Sequence, residues 1–182
     1  MQIRPAVLAL AAASTLALAL ASAAFAAGIP DKLDAASYRR LSPSLAISGK
    51  PSQEALASLK QSGFRTAIDL RQPAEGVPSA REAVEAQGLK FLSVPVSPDT
   101  LTLLDAQKVA AVLSDQSAAP VLLFCSSSNR VGGVIAVIER MRGRSKEEAL
   151  AEGRKAGLRS AAMENAVLKI LDETPATAAS GR

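Results

Sequence analysis

Val121-Leu122-Leu123-Phe124-Cys125-Ser126-Ser127-Ser128-Asn129-Arg130-Val131-Gly132-Gly133-Val134-Ile135 is the stretch that decides the fold. Four uniformly apolar residues predict a short strand buried on both faces, as in a parallel sheet. Val131, Val134, Ile135, Ile138 and Met141 then recur at helical spacing. Between strand and helix lies a polar loop that begins with the only cysteine of the chain. A helix start has unpaired amides and the positive end of the helix dipole, so this seam suits an anion or a thiolate.

Reading outward, strands are predicted over 44–49, 66–70 and 91–96 beside 121–124. Helices are predicted from Pro51-Ser52 with Leu56 and Leu59 on one face, over 79–87 with Gly88 behind, and after the capping box Thr102-Leu103-Leu104-Asp105. Beyond the cysteine loop a helix ends near Gly143. Ser145-Lys146-Glu147-Glu148 is a second capping box, opening a helix to about Ala156, and a last helix covers 161–171. Alternating strands and helices argue an α/β fold, a mostly parallel sheet flanked by helices with right-handed crossovers. Ligands of such sheets collect beyond the carboxyl ends of the strands, where Cys125, Arg71 and Asp99 each follow a predicted strand.

The N-terminus sets an expectation of its own. Arg4, the alanine-rich run 7–21 and Ala24-Phe25-Ala26 form a secretory signal pattern, with cleavage expected after Ala26. The reading along the chain is therefore signal peptide 1–26, linker 27–43, a single domain 44–172 and a disordered tail 173–182. It implies export, to the periplasm in a bacterium, and no membrane attachment after cleavage.

Composition excludes several chemistries. The chain has no histidine, which removes Ser-His-Asp and Cys-His catalysis and leaves no basis for a zinc site, so no metal or cofactor is expected. One cysteine permits no internal disulfide. A net charge of +4 spread over scattered arginines, with 3% aromatics, argues against nucleic acid and suits a small anionic ligand. Oligomeric state is not legible.

Within the loop, Cys125 is the candidate nucleophile, since a free thiol near pKa ~8.5 becomes reactive once a helix terminus and an arginine lower it. Arg130 is placed to fork two oxygens of a tetrahedral anion. Ser126, Ser127, Ser128 and Asn129 are expected to line the anion. Asp99 is a candidate general acid, or else a turn or cap residue. Asp69 and Arg71 read as a structural pair at the sheet rim, and Glu75 as a solvated carboxylate.

Ser48-Gly49-Lys50-Pro51-Ser52, Ile68-Asp69-Leu70-Arg71, Val94-Pro95-Val96, the run 125–132, and Glu148-Ala149-Leu150 through Glu152-Gly153-Arg154-Lys155-Ala156-Gly157 together resemble one family. It is the phosphatase-like domain of beta-lactamase-hydrolase-like proteins, bacterial relatives of dual-specificity and tyrosine phosphatases. The resemblance implies the cysteine-phosphatase fold, Cys125 as nucleophile and Arg130 as the anion-binding arginine. The chain departs from it at Phe124, where the family usually has histidine, and at Ser128, where it usually has glycine. A side chain at that glycine position predicts an unfavourable φ. Four residues lie between Cys125 and Arg130, a short loop that resembles that of rhodanese sulfurtransferases. Three readings follow: hydrolysis of a phosphate monoester through a cysteinyl phosphate, sulfur transfer through a Cys125 persulfide, or an inactive anion-binding or interaction domain. The partner is a phosphorylated or sulfur-bearing anion.

Overall fold

The computed structural model describes residues 28–174; the expected signal peptide and most of the expected tail lie outside them. In chain order the elements are β1 (Arg39–Ser42), β2 (Leu45–Ser48), α1 (Gln53–Ala57), β3 (Thr66–Asp69), a 3-10 turn (Pro73–Glu75), α2 (Val77–Glu85), β4 (Lys90–Ser93), α3 (Leu103–Ser114), β5 (Val121–Phe124), α4 (Asn129–Met141), α5 (Lys146–Lys155) and α6 (Ala161–Glu173). They build one sheet of order β1-β2-β5-β3-β4. Only β1 runs antiparallel to its neighbour. The α/β expectation holds.

The central strands β3 and β5 are buried along their whole length, β5 as its unbroken apolar run requires, and β3 with the Thr66 hydroxyl bonded to the Ala118 carbonyl and Asp69 paired with Arg71. Ser48 and Asp69 flank Phe124 in register, so β2, β5 and β3 end side by side. That shared end is the rim on which the cysteine loop sits.

Strand alternation divides the interior into two layers. Val121, Leu123 and Cys125 face a large cluster with Val109, Val134 and Val167. Leu122 and Phe124 face a smaller one with Leu56, Leu59, Phe64 and Val84. Cys125 thus lies on the α4 side of the sheet and Phe124 on the other.

Several boundaries move. The segment 27–43, expected as a linker, carries β1 and packs Ile29 into the smaller cluster, while the Tyr38 hydroxyl donates to the Pro30 carbonyl at 2.6 Å. The predicted strand 91–96 is paired only over Lys90–Ser93; Val94 and Val96 continue as buried extended chain, donating to the carbonyls of Asp69 and Leu70. The helix predicted over 79–87 starts at Val77, because Pro78 is well suited to the first turn. Residues 173 and 174, expected in the tail, belong to the fold, since α6 runs to Glu173 and the Thr174 carbonyl accepts from Arg140 Nε at 2.9 Å.

Gly132 in α4 and Gly153 in α5 have a packing role. A Cβ on Gly132 would lie 2.1 Å from the Leu158 amide nitrogen and 2.5 Å from the Gly153 carbonyl, and one on Gly153 would lie 2.7 Å from the Gly132 carbonyl. Backbone meets backbone there. This close crossing brings the α5–α6 connection up to the base of the cysteine loop, where Gly157, at φ 113°, lies against Ser128.

Candidate active site

β5 ends at Phe124, and the next residue, Cys125, is fully buried and anchored by its own amide to the Ser48 carbonyl at 3.3 Å. Helix α4 begins four residues later. Its N-cap, Ser128, adopts φ 67° and ψ −6°, so its hydroxyl makes no cap hydrogen bond. The first-turn amides therefore have neither an intrahelical acceptor nor the usual serine cap. The expected unfavourable φ at Ser128 is present, and its buried Oγ has no hydrogen-bond partner.

Arg130 does fork two oxygens, but they belong to the protein. Its Nη1 donates to Glu75 Oε2 at 2.6 Å and its Nη2 to Glu75 Oε1 at 2.7 Å. Ser126 Oγ closes a triangle, donating to Glu75 Oε1 at 2.5 Å and accepting from Arg130 Nη2 at 2.9 Å. Weaker contacts run from Nη1 to the carbonyls of Leu70 and Val96, both at 3.4 Å. Glu75, expected to be solvated, is thus the acidic partner of Arg130. It arrives there because the 3-10 turn after β3 carries it back over the rim, its backbone fixed by a reciprocal cap with Gln72.

The charges respond accordingly. The Arg130 hydrogen bond, with lesser help from Ser126 and the Gln72 amide, holds the Glu75 carboxyl at about 2, well below its ordinary value of 4.5. Glu75 in turn raises Arg130, and the neighbouring Cys125 adds to the effect.

The remaining predicted residues sort clearly. Asp69 and Arg71 form the expected pair at the rim: Arg71 Nη2 lies 2.8 Å from Asp69 Oδ2, with both side chains almost wholly buried. The Arg71 guanidinium also stands 5.2 Å from the centroid of Phe124, so the ring supports a cation on the far face of the sheet. Asn129 was expected to line the anion. Its side chain points elsewhere: Oδ1 accepts from the amides of Arg159 and Ser160 and Nδ2 donates to Ser160 Oγ, tying α4 to the N-cap of α6. Ser127 is exposed, its carbonyl held by Arg159 Nη2 at 2.7 Å, a brace that sequence reasoning missed. Asp99 sits exposed in the turn 98–100 and makes no hydrogen bond to the loop among the described residues. Among those residues no cluster of potential metal ligands occurs.

A groove of about 250 Å3 lined by Lys50, Gln53, Arg71, Glu75 and Ser79 opens beside the Arg130–Glu75 pair. A cavity of about 300 Å3 lined by Leu45, Leu113, Val121 and Ile135 lies at the opposite end of the strands, away from the thiol.

The family model for the beta-lactamase hydrolase-like protein, phosphatase-like domain, matches residues 37–142, more than half of the chain. The chain belongs to this family. Solved structures agree on the fold. A putative phosphatase from Shewanella putrefaciens is 16% identical with a TM-score of 0.62, covering 78% of this chain and 95% of that one. TpbA from P. aeruginosa is 22% identical with a TM-score of 0.57, covering 84% and 92%. The core catalytic domain of the PP-IP phosphatase Siw14 from S. cerevisiae, in complex with citrate, is 16% identical with a TM-score of 0.57, covering 75% and 87%. A search of curated proteins gave no match. The family match begins within β1's approach, at Ser37, consistent with the domain reaching upstream of residue 44.

Proposed function

We propose that the protein is a cysteine-dependent phosphatase that hydrolyses a phosphate monoester. One observation carries this: a lone cysteine at the end of the central strand, a helix start left uncapped by its own serine, and Arg130 in the first turn of that helix. Cys125 Sγ, as thiolate, attacks phosphorus as the bond to the ester oxygen breaks, and the alkoxide or phenoxide leaves. Water then cleaves the cysteinyl phosphate, releasing inorganic phosphate and restoring the thiolate. First-turn amides of α4 and Arg130 stabilise the equatorial oxygens. With Asp99 exposed and making no hydrogen bond to the loop among the described residues, the preferred substrates have leaving groups that need little protonation, as aryl phosphates do. A cysteine-to-serine form of TpbA has been solved with phosphotyrosine, which favours the same class of substrate here.

The test is hydrolysis of an aryl phosphate by the purified mature chain. Turnover is expected and is lost in Cys125→Ser; turnover that survives the substitution, or none in either protein, rejects the reading. The short loop between Cys125 and Arg130 favours sulfur transfer as a second reading, which thiosulfate-dependent thiocyanate formation would reveal. The N-terminal pattern supports export to a bacterial periplasm, and a mature chain beginning at Ala27 by mass spectrometry is the expected signature.

A further inference from the structure

We propose a second anion-binding site, separate from the cysteine loop, in the pocket between the start of β1 and the α5–α6 connection, with a phosphoryl group as its ligand. The pocket has a volume of about 520 Å3, and Ser37, Arg39, Arg154 and Arg159 are among the residues that line it. Three arginines meet there, and none of the lining residues is acidic. The inference does not depend on whether Cys125 reacts.

The pattern of ion pairs singles this pocket out. Elsewhere arginines are matched by carboxylates, Arg40 by Asp31, Arg71 by Asp69 and Arg130 by Glu75. Arg39 and Arg159 have no carboxylate partner among the described residues, yet they line the same space. Arg159 is nevertheless held in place, Nε donating to the Gly157 carbonyl at 3.2 Å and Nη2 to the Ser127 carbonyl at 2.7 Å. Both acceptors are neutral, so its charge stays unmatched. The Arg39 backbone is fixed opposite Ile47 in the β1–β2 ladder, and its side chain makes no hydrogen bond among the described residues. Arg154 is oriented by Glu164, which bonds its Nε and Nη2 and does not line the pocket. The Ser37 hydroxyl, without a partner among the described residues, is a further donor.

Unmatched like charges gathered in one concavity repel, and an anion relieves that repulsion. A tetrahedral dianion fits the donor set, because its oxygens accept paired N–H groups from more than one guanidinium as charge-assisted hydrogen bonds. The three arginines are exposed, so entry requires no opening. Ser127 lies two residues beyond Cys125, and its bond to Arg159 joins the pocket to the cysteine loop. A second phosphoryl group on the molecule presented to the loop and a separate phosphate offer this pocket the same chemistry.

The test titrates the full mature chain carrying Cys125→Ser with inorganic phosphate at low ionic strength, read from the backbone amide NMR signals of residues 37–39 and 157–159. These signals should move together along one saturating curve. Arg39→Gln should weaken the dissociation constant by roughly tenfold, and Arg39→Glu should abolish the response. The Arg39 side chain has no partner to lose, so both variants should keep the parent melting temperature. Arg130→Ala should leave the curve at the pocket in place. If the two segments do not titrate, or titrate equally in the parent, Arg39→Gln and Arg39→Glu proteins, the proposal is overturned. Silence of residues 126–130 while the pocket titrates rejects the anion-binding reading of the loop and leaves this site standing. A series of α,ω-alkanediol bisphosphates identifies the source of the group. A member that binds roughly tenfold tighter than phosphate, with the gain lost in both Arg39→Gln and Arg130→Ala, assigns the two phosphoryl groups to one molecule. Curves at the pocket equal to that of phosphate throughout the series assign it a separate anion.

Discussion

Ser128 carries two costs at one position: a left-handed backbone that disfavours any side chain, and a buried hydroxyl with no partner. Ser128→Gly should therefore stabilise the fold by about 1 kcal/mol, part of the gain being offset by the freer unfolded chain. A shift of the denaturant midpoint to higher concentration at unchanged slope is the expected result. The strain was legible beforehand, because a glycine position in the resembled family predicted it. Glu75 was not. Its role depends on how a three-residue turn bends back over the strand ends, and nothing in the local pattern Gln72-Pro73-Ala74-Glu75 says which rim group it will meet. Its charge gives a second prediction. The folded protein holds this carboxyl at about 2 against an ordinary 4.5, so the folded state favours the ionised form. That contribution is complete above about 4.5 and is lost as pH falls towards 2. The stability advantage of the natural protein over Glu75→Gln should accordingly be constant near neutrality and shrink through that acid window, as thermal midpoints taken at several pH values would show.

Among the elements, β5 and the two capping boxes came directly from sequence: four apolar residues have no other use than a buried strand, and Thr102 and Ser145 each accept from the third helical amide as predicted. The start of α4 was less clear, since Asn129 and Arg130 are polar and the apolar spacing begins only at Val131. The crossing of α4 and α5 was invisible for a different reason. Gly132 and Gly153 are 21 positions apart, and only the fold shows that their backbones touch. Gly132→Ala should cost roughly 3 kcal/mol or more, because the atoms a Cβ would strike are backbone and cannot rotate away. The loss should extend to the site, since the same crossing sets Gly157 against Ser128. Fluorescence or calorimetric unfolding of the variant, beside its phosphate affinity, checks both parts.

At the scale of the whole molecule the architecture was legible and the domain edge was not. β1 is an exposed antiparallel strand of sequence Arg39-Arg40-Leu41-Ser42, with no alternation to announce it, and Ile29 is a lone apolar residue amid small and charged ones. Yet Ile29 is 1% exposed and packs with Leu56, Phe64 and Phe124. Ile29→Ala should cost about 2 to 4 kcal/mol, and a value near zero would return the segment to the status of a linker. The two-layer core also explains the tolerance of phenylalanine at position 124: the ring faces the smaller layer, beneath Arg71, while the cysteine next to it faces the larger one.

The complete burial of Cys125 bears on how long such a thiol survives. Peroxide needs access to the sulfur to form a sulfenic acid, and a disulfide between two copies needs their α-carbons within about 7 Å. Neither reaction proceeds at a sulfur that stays fully buried. The packing that places the lone cysteine in the core is thus also what shields it from oxidants.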